Sequence, residues 1–366
     1  ALFGQVMGDS GSATAVSRKL LSVVGESRAI LVTVLATALL TYGGVSVFIV
    51  IFTVYPLALI LFKSANLPKR LIAASVGIGA ATFTMTALPG SPAIQNIIPT
   101  QVLGTTATAA PLVGIICSCI LLFGGLWYLN KQAKKALANK EGFVPGARDN
   151  MEKLSLNDEA SLPHWFVALL PLLVVIGLII GLRGKLDALF SVTIALTAGI
   201  ILTYLLNWKR ITNPLKTMND GCLNSLGALI NTSAIVAFGF VVQAVPAFQS
   251  FVQFVLGLSL DPLIAAAVGV NVVAGITGSA SGGLTIFMQS MGPGLLAKGV
   301  NPEILHRVAS IASGGLDSLP HSGAVITLLT YMGLSHKEGY KDLGVVTVVI
   351  PLIVLVVAVV LGILFY

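Results

Sequence analysis

Residues 165–182 read WFVALLPLLVVIGLIIGL, a stretch without a single charged side chain. Comparable apolar runs cover residues 112–129, 188–206 and 345–366, and each approaches the roughly 20 residues that a bilayer-spanning helix needs. The runs lack the strict polar–apolar alternation of a transmembrane β-barrel. The sequence therefore predicts an all-α integral membrane protein, because helices satisfy the backbone of such runs within lipid.

The composition of the 366-residue chain agrees with this prediction. Hydrophobic residues make up 56% and charged residues only 10% of the chain, against about 25% charged in a soluble domain. The net charge of +7 alone would be compatible with nucleic acid. The Lys and Arg residues, however, lie in short gaps between apolar runs, which is typical of membrane proteins. We therefore expect membrane lipid, and not nucleic acid, around this chain.

An internal repeat organises the chain. A shift of 235 residues aligns Phe3 with Phe238 and Gly43 with Gly278, and a shift of 231 residues aligns LPGSPAI with LPHSGAV. Their common order favours a duplication over chance similarity of apolar sequence. The predicted units are a first inverted repeat over residues 1–129, a polar linker over 130–162 and a second inverted repeat over 163–366.

The second copy has two further apolar spans before its aligned part. By symmetry, roughly 70 residues carrying about two helices are expected to precede residue 1. Inverted copies place most of the 21 Lys and Arg residues on the same side as the linker. The positive-inside rule makes that side the cytoplasm.

Four stretches of turn-forming residues interrupt the apolar runs at matching positions of the two copies. Two are predicted tips of re-entrant hairpins, and two are proline breaks. Paired discontinuities of this kind indicate the binding site of a secondary transporter, although Gly and Ser could merely permit tight helix packing. The tips are TYGGVS (41–46) and TGSASGG (277–283), and the breaks are LPGSPAIQN (88–96) and LDSLPHSGAV (316–325).

The candidate substrate-binding residues lie in these four stretches. A broken helix exposes N–H groups at a new N-terminus, and these attract an anion such as a carboxylate. Glycine permits a close approach of the backbone, and hydroxyl, amide and imidazole groups add donors. The candidates are Gly43, Gly44, Ser46, Ser91, Asn96, Gly278, Ser279, Ser281, His321 and Ser322.

Ionisable residues within apolar runs are candidates for proton coupling. Asp317 and His321 lie four residues apart across a proline, and histidine titrates near neutral pH. Asp9, in MGDSGS, is a further candidate. The alternatives are that Asp317 caps the second half-helix and that Asp9 caps the helix after it. His306 and Arg307 are expected at a membrane interface, without a role in transport.

Residues 306–342, HRVASIASGGLDSLPHSGAVITLLTYMGLSHKEGYKD, resemble the gluconate permease family of proton-coupled carboxylate symporters. GSASGG and FGQVMGDSGSA (residues 3–13) add to a resemblance that covers the whole chain. It implies an inverted-repeat secondary transporter of the ion-transporter-superfamily type, with re-entrant hairpins and broken helices, in the bacterial inner membrane. It also implies a small carboxylate substrate, protons as the coupling ion and no cofactor or metal. Related transporters are often homodimers, and the oligomeric state stays open.

The first proline break departs from the gluconate-transporting members, which tend to have more polar breaks that contain histidine. LPGSPAIQN has no ionisable group, so a poly-hydroxylated acid would find fewer partners here. We therefore expect import of a short hydroxy acid such as 3-hydroxybutyrate, with gluconate as the alternative substrate and a passive organic-anion channel as a further alternative. The chain has no HExxH, GxSxG or GxxxxGK[ST] motif, and an enzyme is not expected.

Overall fold

The prediction of an all-α fold is confirmed in a computed structural model of the chain, in which the described residues form helices and turns and no strand. These residues are 2–25, 28–45, 47–146, 149, 162–182, 185–257 and 260–366. The helices before the linker are α1 (Leu2–Asp9), α2 (Ser12–Val24), α3 (Ala29–Tyr42), α4 (Val47–Ser64), α5 (Arg70–Ala81), α6 (Phe83–Thr86), α7 (Ile94–Leu103) and α8 (Pro111–Ala138).

Ten helices follow the linker in the described part of the chain. A 3-10 turn (Leu316–Ser318) precedes α16, and a π-helical turn (Val345–Val349) joins α17 to α18. The helices are α9 (Trp165–Gly181), α10 (Ala188–Asn207), α11 (Pro214–Ala244), α12 (Pro246–Gly257), α13 (Pro262–Thr277), α14 (Ala280–Ala297), α15 (Pro302–Ser313), α16 (Gly323–Tyr331), α17 (His336–Gly344) and α18 (Ile350–Phe365).

Three helical stretches among the described residues are long and apolar enough to cross a membrane: Pro111–Ala138, Leu189–Asn207 and His336–Phe365. The outer surface of the bundle also carries large apolar side chains, including Phe123 and Phe190, which are 65% and 66% exposed. Water would disfavour such a surface, whereas lipid tails would accommodate it. The chain is a helical membrane protein.

The two predicted hairpin tips are sharp helix–helix turns. In the second hairpin, Gly278 ends α13 in the left-handed conformation (φ +60°), which glycine adopts without steric cost. The arms of this hairpin are in close contact, because a Cβ on Gly283 would overlap Ala274. In the first hairpin, Gly44 (φ +95°) makes the corresponding turn between α3 and α4. Ser46 lies outside the described residues.

Helix ends occur at corresponding places in the two copies. Helix α3 ends at Tyr42 and α13 ends at Thr277, positions that the 235-residue shift superimposes. Each copy then has a proline break, which α7 follows in the first copy and α16 in the second. The opposite orientation of the copies, and a return of each hairpin to its own side of the membrane, stay predictions.

The two halves meet around the first break. Helix α7 packs against α14 and α15, and α18 packs against α8 and α15. Gly114 of α8 permits close approach here, since a Cβ at this position would lie 2.5 Å from the carbonyl oxygen of Ala87 and 3.2 Å from Nε of Arg307. Residues of α15 in the second half therefore contact the first break directly.

At one end of the bundle, charged side chains join the two halves. Arg70, at the start of α5, binds both carboxylate oxygens of Glu141 at 2.7 and 2.9 Å and also binds Asp342 of α17. The hydroxyl of Tyr128 donates to the other oxygen of Asp342 at 2.9 Å. The hydrogen bonds from Arg70 hold the pKa of Glu141 below its ordinary range.

The stretch predicted as a polar linker is partly packed onto the bundle. Helix α8 continues to Ala138, so the first residues after 129 are helical. Farther along, Asp149 binds Lys69 at 2.6 Å and accepts a hydrogen bond from the Tyr55 hydroxyl at 2.8 Å. Both charged side chains are buried, at 6% exposure for Lys69 and 3% for Asp149. The Asp149 side chain is therefore buried against the bundle, whereas Val144 of the same stretch is 73% exposed.

Candidate functional site

The second hairpin tip lies against the second proline break. A Cβ on Gly278 would lie 3.1 Å from Cδ2 of His321 and 3.4 Å from Cα of Ser322. His321 is held in this position, since its Nε2 lies 3.0 Å from the carbonyl oxygen of Gly275. A carbonyl only accepts hydrogen bonds, so Nε2 carries the proton in this contact. The structure thus brings three of the predicted residues together.

Two helices begin here, α14 and α16. We call the residues Gly278, Ser279, Ser281, His321 and Ser322 the second cluster. Ser279 precedes α14, and its Oγ accepts a hydrogen bond from the N–H of Gly282 at 3.2 Å and lies 3.4 Å from Oγ of Ser281. Ser322 precedes α16 with an extended backbone, and no side chain of the described residues caps that helix. The first-turn N–H groups of α16 are the kind of donors that hold anions at helix N-termini.

The first hairpin tip lies against the first break in the same way. A Cβ on Gly44 would lie 3.0 Å from Cγ of Pro92. Just before this tip, the hydroxyl of Tyr42 donates to the carbonyl oxygen of Pro89 at 2.8 Å. A Cβ on Gly43 would instead meet Leu172 of α9. The structure thus places Gly44 next to the first break.

Asn96 is fully buried and fixes the shape of the first break. Its amide donates to the carbonyl oxygens of Ser91 at 2.9 Å and Ala107 at 2.6 Å. The amide oxygen therefore accepts from Nε2 of His306 at 3.2 Å. The other ring nitrogen, Nδ1, lies 2.7 Å from the Thr105 hydroxyl. The contact with Asn96 places a proton on Nε2, and in the neutral form of the ring Nδ1 accepts from Thr105.

The depth of His306 and Arg307 in the membrane stays a prediction, but the structure shows that neither side chain is exposed. Both side chains are completely buried on α15. Nε and Nη2 of Arg307 donate to the carbonyl oxygen of Ala109, in the loop after α7, at 3.0 and 2.8 Å. The first break therefore has ionisable neighbours, which come from the other half of the chain. Two ionisable residues inside the stretch ILHRVASIA were the sequence signal for this role.

Asp317 lies in the 3-10 turn of the second break. Its Oδ1 accepts a hydrogen bond from the Ser318 hydroxyl at 3.0 Å. The interpretation that Asp317 caps the second half-helix is wrong, because α16 begins after Ser322 and has no side-chain cap. The carboxyl group of Asp317 is therefore not committed to a helix N-terminus, and it shares the break with His321.

Asp9 is exposed at the end of α1, and it has a different environment. Its two carboxylate oxygens accept hydrogen bonds from Gln5 at 3.0 Å and from Thr217 of α11 at 2.7 Å. It does not cap α2, since Gly11 precedes that helix without a side-chain hydrogen bond. The contacts of Asp9 thus join α1 to α11, and they do not bring it to either break.

Sequence reasoning missed three side chains that hold the second break. Nε2 of His336 donates to the carbonyl oxygen of Pro320 at 2.9 Å, and the Tyr340 hydroxyl donates to that of Ser318 at 3.0 Å. Both donors lie on α17. Asn271 of α13 accepts from the backbone N–H at position 316 at 3.1 Å. Asn271 could have been found from the sequence, because it is a polar residue inside the apolar run of α13. Nothing local in the sequence marks His336 or Tyr340.

No family model matches the chain. Two curated proteins are similar to it over most of its length. The first, named "Uncharacterized transporter YxjC", comes from Bacillus subtilis (strain 168) and is 40% identical over 388 residues, which cover 95% of this chain and 82% of that protein. The second, named "Uncharacterized transporter", comes from Haemophilus influenzae and is 26% identical over 343 residues, which cover 92% of this chain and 76% of that protein.

Proposed function

Because the chain belongs to the same transporter family as YxjC of Bacillus subtilis, we propose that it is a secondary active transporter that imports a small organic acid together with protons. The substrate that we propose is a short hydroxy acid such as 3-hydroxybutyrate. The protein would work as a multi-pass symporter in the bacterial inner membrane, with its linker in the cytoplasm.

One observation carries this proposal: in each half of the chain, the hairpin tip lies against the proline break of the same half. Gly44 meets Pro92 in the first half, and Gly278 meets His321 in the second. Paired helix discontinuities that meet inside a membrane protein are typical of secondary transporters. Mere helix packing would require small residues at the tips, but it would not require two broken helices beside them.

The chemistry of the second cluster suits a hydroxy acid. The uncapped N-terminus of α16 and the hydroxyls of Ser279, Ser281 and Ser322 are donors for substrate oxygen atoms. Such donors bind without the large desolvation cost of a further charge. The first break adds no ionisable side chain of its own, which favours a short acid over a poly-hydroxylated one.

We assign the coupling proton to the second break. Asp317 and His321 both lie there, and neither caps a helix. Protonation of either group changes the charge beside the substrate by one unit, which couples the two binding events electrostatically. We do not assign the coupling proton to Asp9, because the contacts of Asp9 join α1 to α11.

Uptake of radiolabelled 3-hydroxybutyrate into proteoliposomes tests the proposal. Under an imposed inward proton gradient without sodium, we expect saturable accumulation that a protonophore abolishes. Protein-free liposomes under the same gradient are the essential control, because a weak acid also accumulates passively. Strong competition by unlabelled gluconate would instead assign a sugar acid as the substrate. Uptake equal to that of protein-free liposomes under proton and sodium gradients would overturn the proposed function.

A further inference from the structure

Arg307 is a fully buried positive charge that forms no ion pair with any of the described residues. Its Nε and Nη2 donate only to backbone carbonyl oxygens, those of Ala109 at 2.8 to 3.0 Å and, more weakly, of Ala107 at 3.5 Å. Its Nη1 is enclosed and has no hydrogen-bond partner among the described residues. A buried guanidinium without a counter-ion is costly, so an arginine in such a place calls for an explanation.

The carboxylate closest in sequence attracts this charge electrostatically, but it forms no ion pair with it among the described residues. Glu303 lies one turn earlier on α15, but its Oε2 accepts the backbone N–H of Ala110 at 2.9 Å. Within the described residues, the carboxylates in ion pairs bind other cations: Asp149 binds Lys69, and Glu141 and Asp342 bind Arg70. A buried lysine in this structure is thus paired, whereas the buried arginine is not.

The unpaired charge lies at the first break. Ala107, whose carbonyl oxygen Arg307 contacts, also accepts the amide of Asn96 at 2.6 Å. One turn farther along α15, the Ser310 hydroxyl donates to the backbone carbonyl of Gln95 at 2.9 Å. The side-chain oxygen Oε1 of Gln95 is buried without a partner among the described residues. Unsatisfied donor and acceptor groups thus lie where α15 crosses the first break.

We propose that Arg307 binds the carboxylate of the transported acid through Nη1 and makes the transporter selective for monoanions. This inference rests on the proposed function and assigns the carboxylate end of the substrate. The carboxylate binds beside the first break, where Arg307 lies. Because Nη1 is enclosed here, the anion reaches it in another state of the transport cycle.

The preference for a monoanion follows from charge balance. One guanidinium compensates one carboxylate, which leaves a neutral occluded pair. A dicarboxylate such as succinate would bring a second negative charge for which the described residues offer no other unpaired buried cation. A neutral amide such as 3-hydroxybutyramide would leave the guanidinium uncompensated. Both should therefore bind more weakly than 3-hydroxybutyrate.

Ligand-dependent thermal stabilisation of the full chain in detergent tests this assignment, with 3-hydroxybutyrate, succinate and 3-hydroxybutyramide as probes. For the wild-type chain we expect the apparent Kd of 3-hydroxybutyrate to be at least about tenfold lower than that of the amide or of succinate. Arg307→Gln should bring the Kd values of the acid and the amide to within about threefold of each other. Arg307→Lys keeps the charge but loses the planar fork, and it should weaken binding of the acid about tenfold.

Lys69→Gln is the matched control, because it removes a buried cation that pairs with Asp149 and not with a residue of either break. It should lower the melting temperature and leave the ratio of the acid and amide Kd values unchanged. If Arg307→Gln also lowers the melting temperature and leaves the ratio of the acid and amide Kd values unchanged, Arg307 has a purely structural role and the assignment is overturned. If Arg307→Gln does not fold, Arg307→Lys decides: a Kd for 3-hydroxybutyrate equal to that of the wild type overturns the assignment. A wild-type chain that neither 3-hydroxybutyrate nor succinate stabilises also overturns it.

Failure of this inference and failure of the proposed function give different results. Proton-driven uptake that Arg307→Lys leaves unchanged would retain the function and remove the arginine from the site. Binding of 3-hydroxybutyrate that depends on Arg307, without any accumulation in proteoliposomes, would retain the anion site and remove the symporter.

Discussion

Asn96 and His306 form a hydrogen bond of 3.2 Å between the amide oxygen and Nε2, and this bond joins the two halves of the chain. Both side chains are fully buried. The amide nitrogen of Asn96 also donates to the carbonyl oxygens of Ser91 and Ala107. One side chain therefore connects the first proline break, the loop after α7 and helix α15.

Asn96→Ala should destabilise the protein and slow transport. The change leaves the carbonyl oxygen of Ser91 and the ring N–H of His306 without these partners in a buried place, and each unsatisfied group costs about 1–3 kcal/mol. The melting temperature and the initial rate of uptake are the measurements. Asn224→Ala is the control, since Asn224 is exposed and its amide binds only Gln5. Equal effects of the two substitutions would contradict a structural role for Asn96 at the break.

The double substitution Ser281→Ala plus Ser322→Ala should raise the KM for 3-hydroxybutyrate. A hydrogen bond between neutral groups contributes about 0.5–1.5 kcal/mol, so the loss of two corresponds to about fivefold or more in affinity. Ser17→Ala plus Ser75→Ala is the matched control, because those buried hydroxyls donate to carbonyls of their own helices. An unchanged KM in the first variant would remove both serines from the site.

Asp317→Asn should uncouple transport from protons. Asparagine keeps the shape of the side chain but cannot take up a proton, so accumulation under a proton gradient should fall to the level of protein-free liposomes. Exchange of labelled for unlabelled substrate should persist. Asp187→Asn is the control, because asparagine also serves as the N-cap that Asp187 provides for α10. If both Asp317→Asn and His321→Gln accumulate substrate normally, the proton is carried elsewhere.

Asp149→Ala should destabilise the protein by about 3–5 kcal/mol, because it leaves the buried ammonium of Lys69 without its partner. Thermal unfolding of the full chain in detergent measures this loss. The double variant Lys69→Met plus Asp149→Ala removes both charges and should recover most of it. A double variant as unstable as the single one would show that the ion pair is not the cause.

The helical class and the positions of the breaks could be predicted from the sequence because they depend on local patterns. Apolar length specifies a span, and the Gly and Pro residues mark the tip at Gly278 and the break at Pro320. The environment of Arg307 could not be predicted, because it depends on packing of α15 against a loop about 200 residues earlier in the chain. The contacts of Tyr340 and His336 could not be predicted either, because their partners are backbone carbonyls, which every residue carries.

Asp9 and Gly43 show the limit of motif reasoning. MGDSGS has the composition of a helix cap, but the carboxylate of Asp9 binds Thr217 on a helix from the other half. Gly43 and Gly44 are adjacent in one motif, yet a Cβ on Gly44 would meet Pro92 of the break, whereas a Cβ on Gly43 would meet Leu172 of α9. A motif identifies the segment, and the packing of neighbouring helices decides which of its residues contacts which partner.

The most direct test of proton-coupled carboxylate transport is the movement of protons with the substrate. Proteoliposomes that enclose a pH-sensitive dye, at equal neutral pH on both sides, would receive external 3-hydroxybutyrate. Our account predicts acidification of the interior that is saturable, faster than in protein-free vesicles and absent in the Asp317→Asn variant. Acidification at the same rate in vesicles with and without the protein would contradict it.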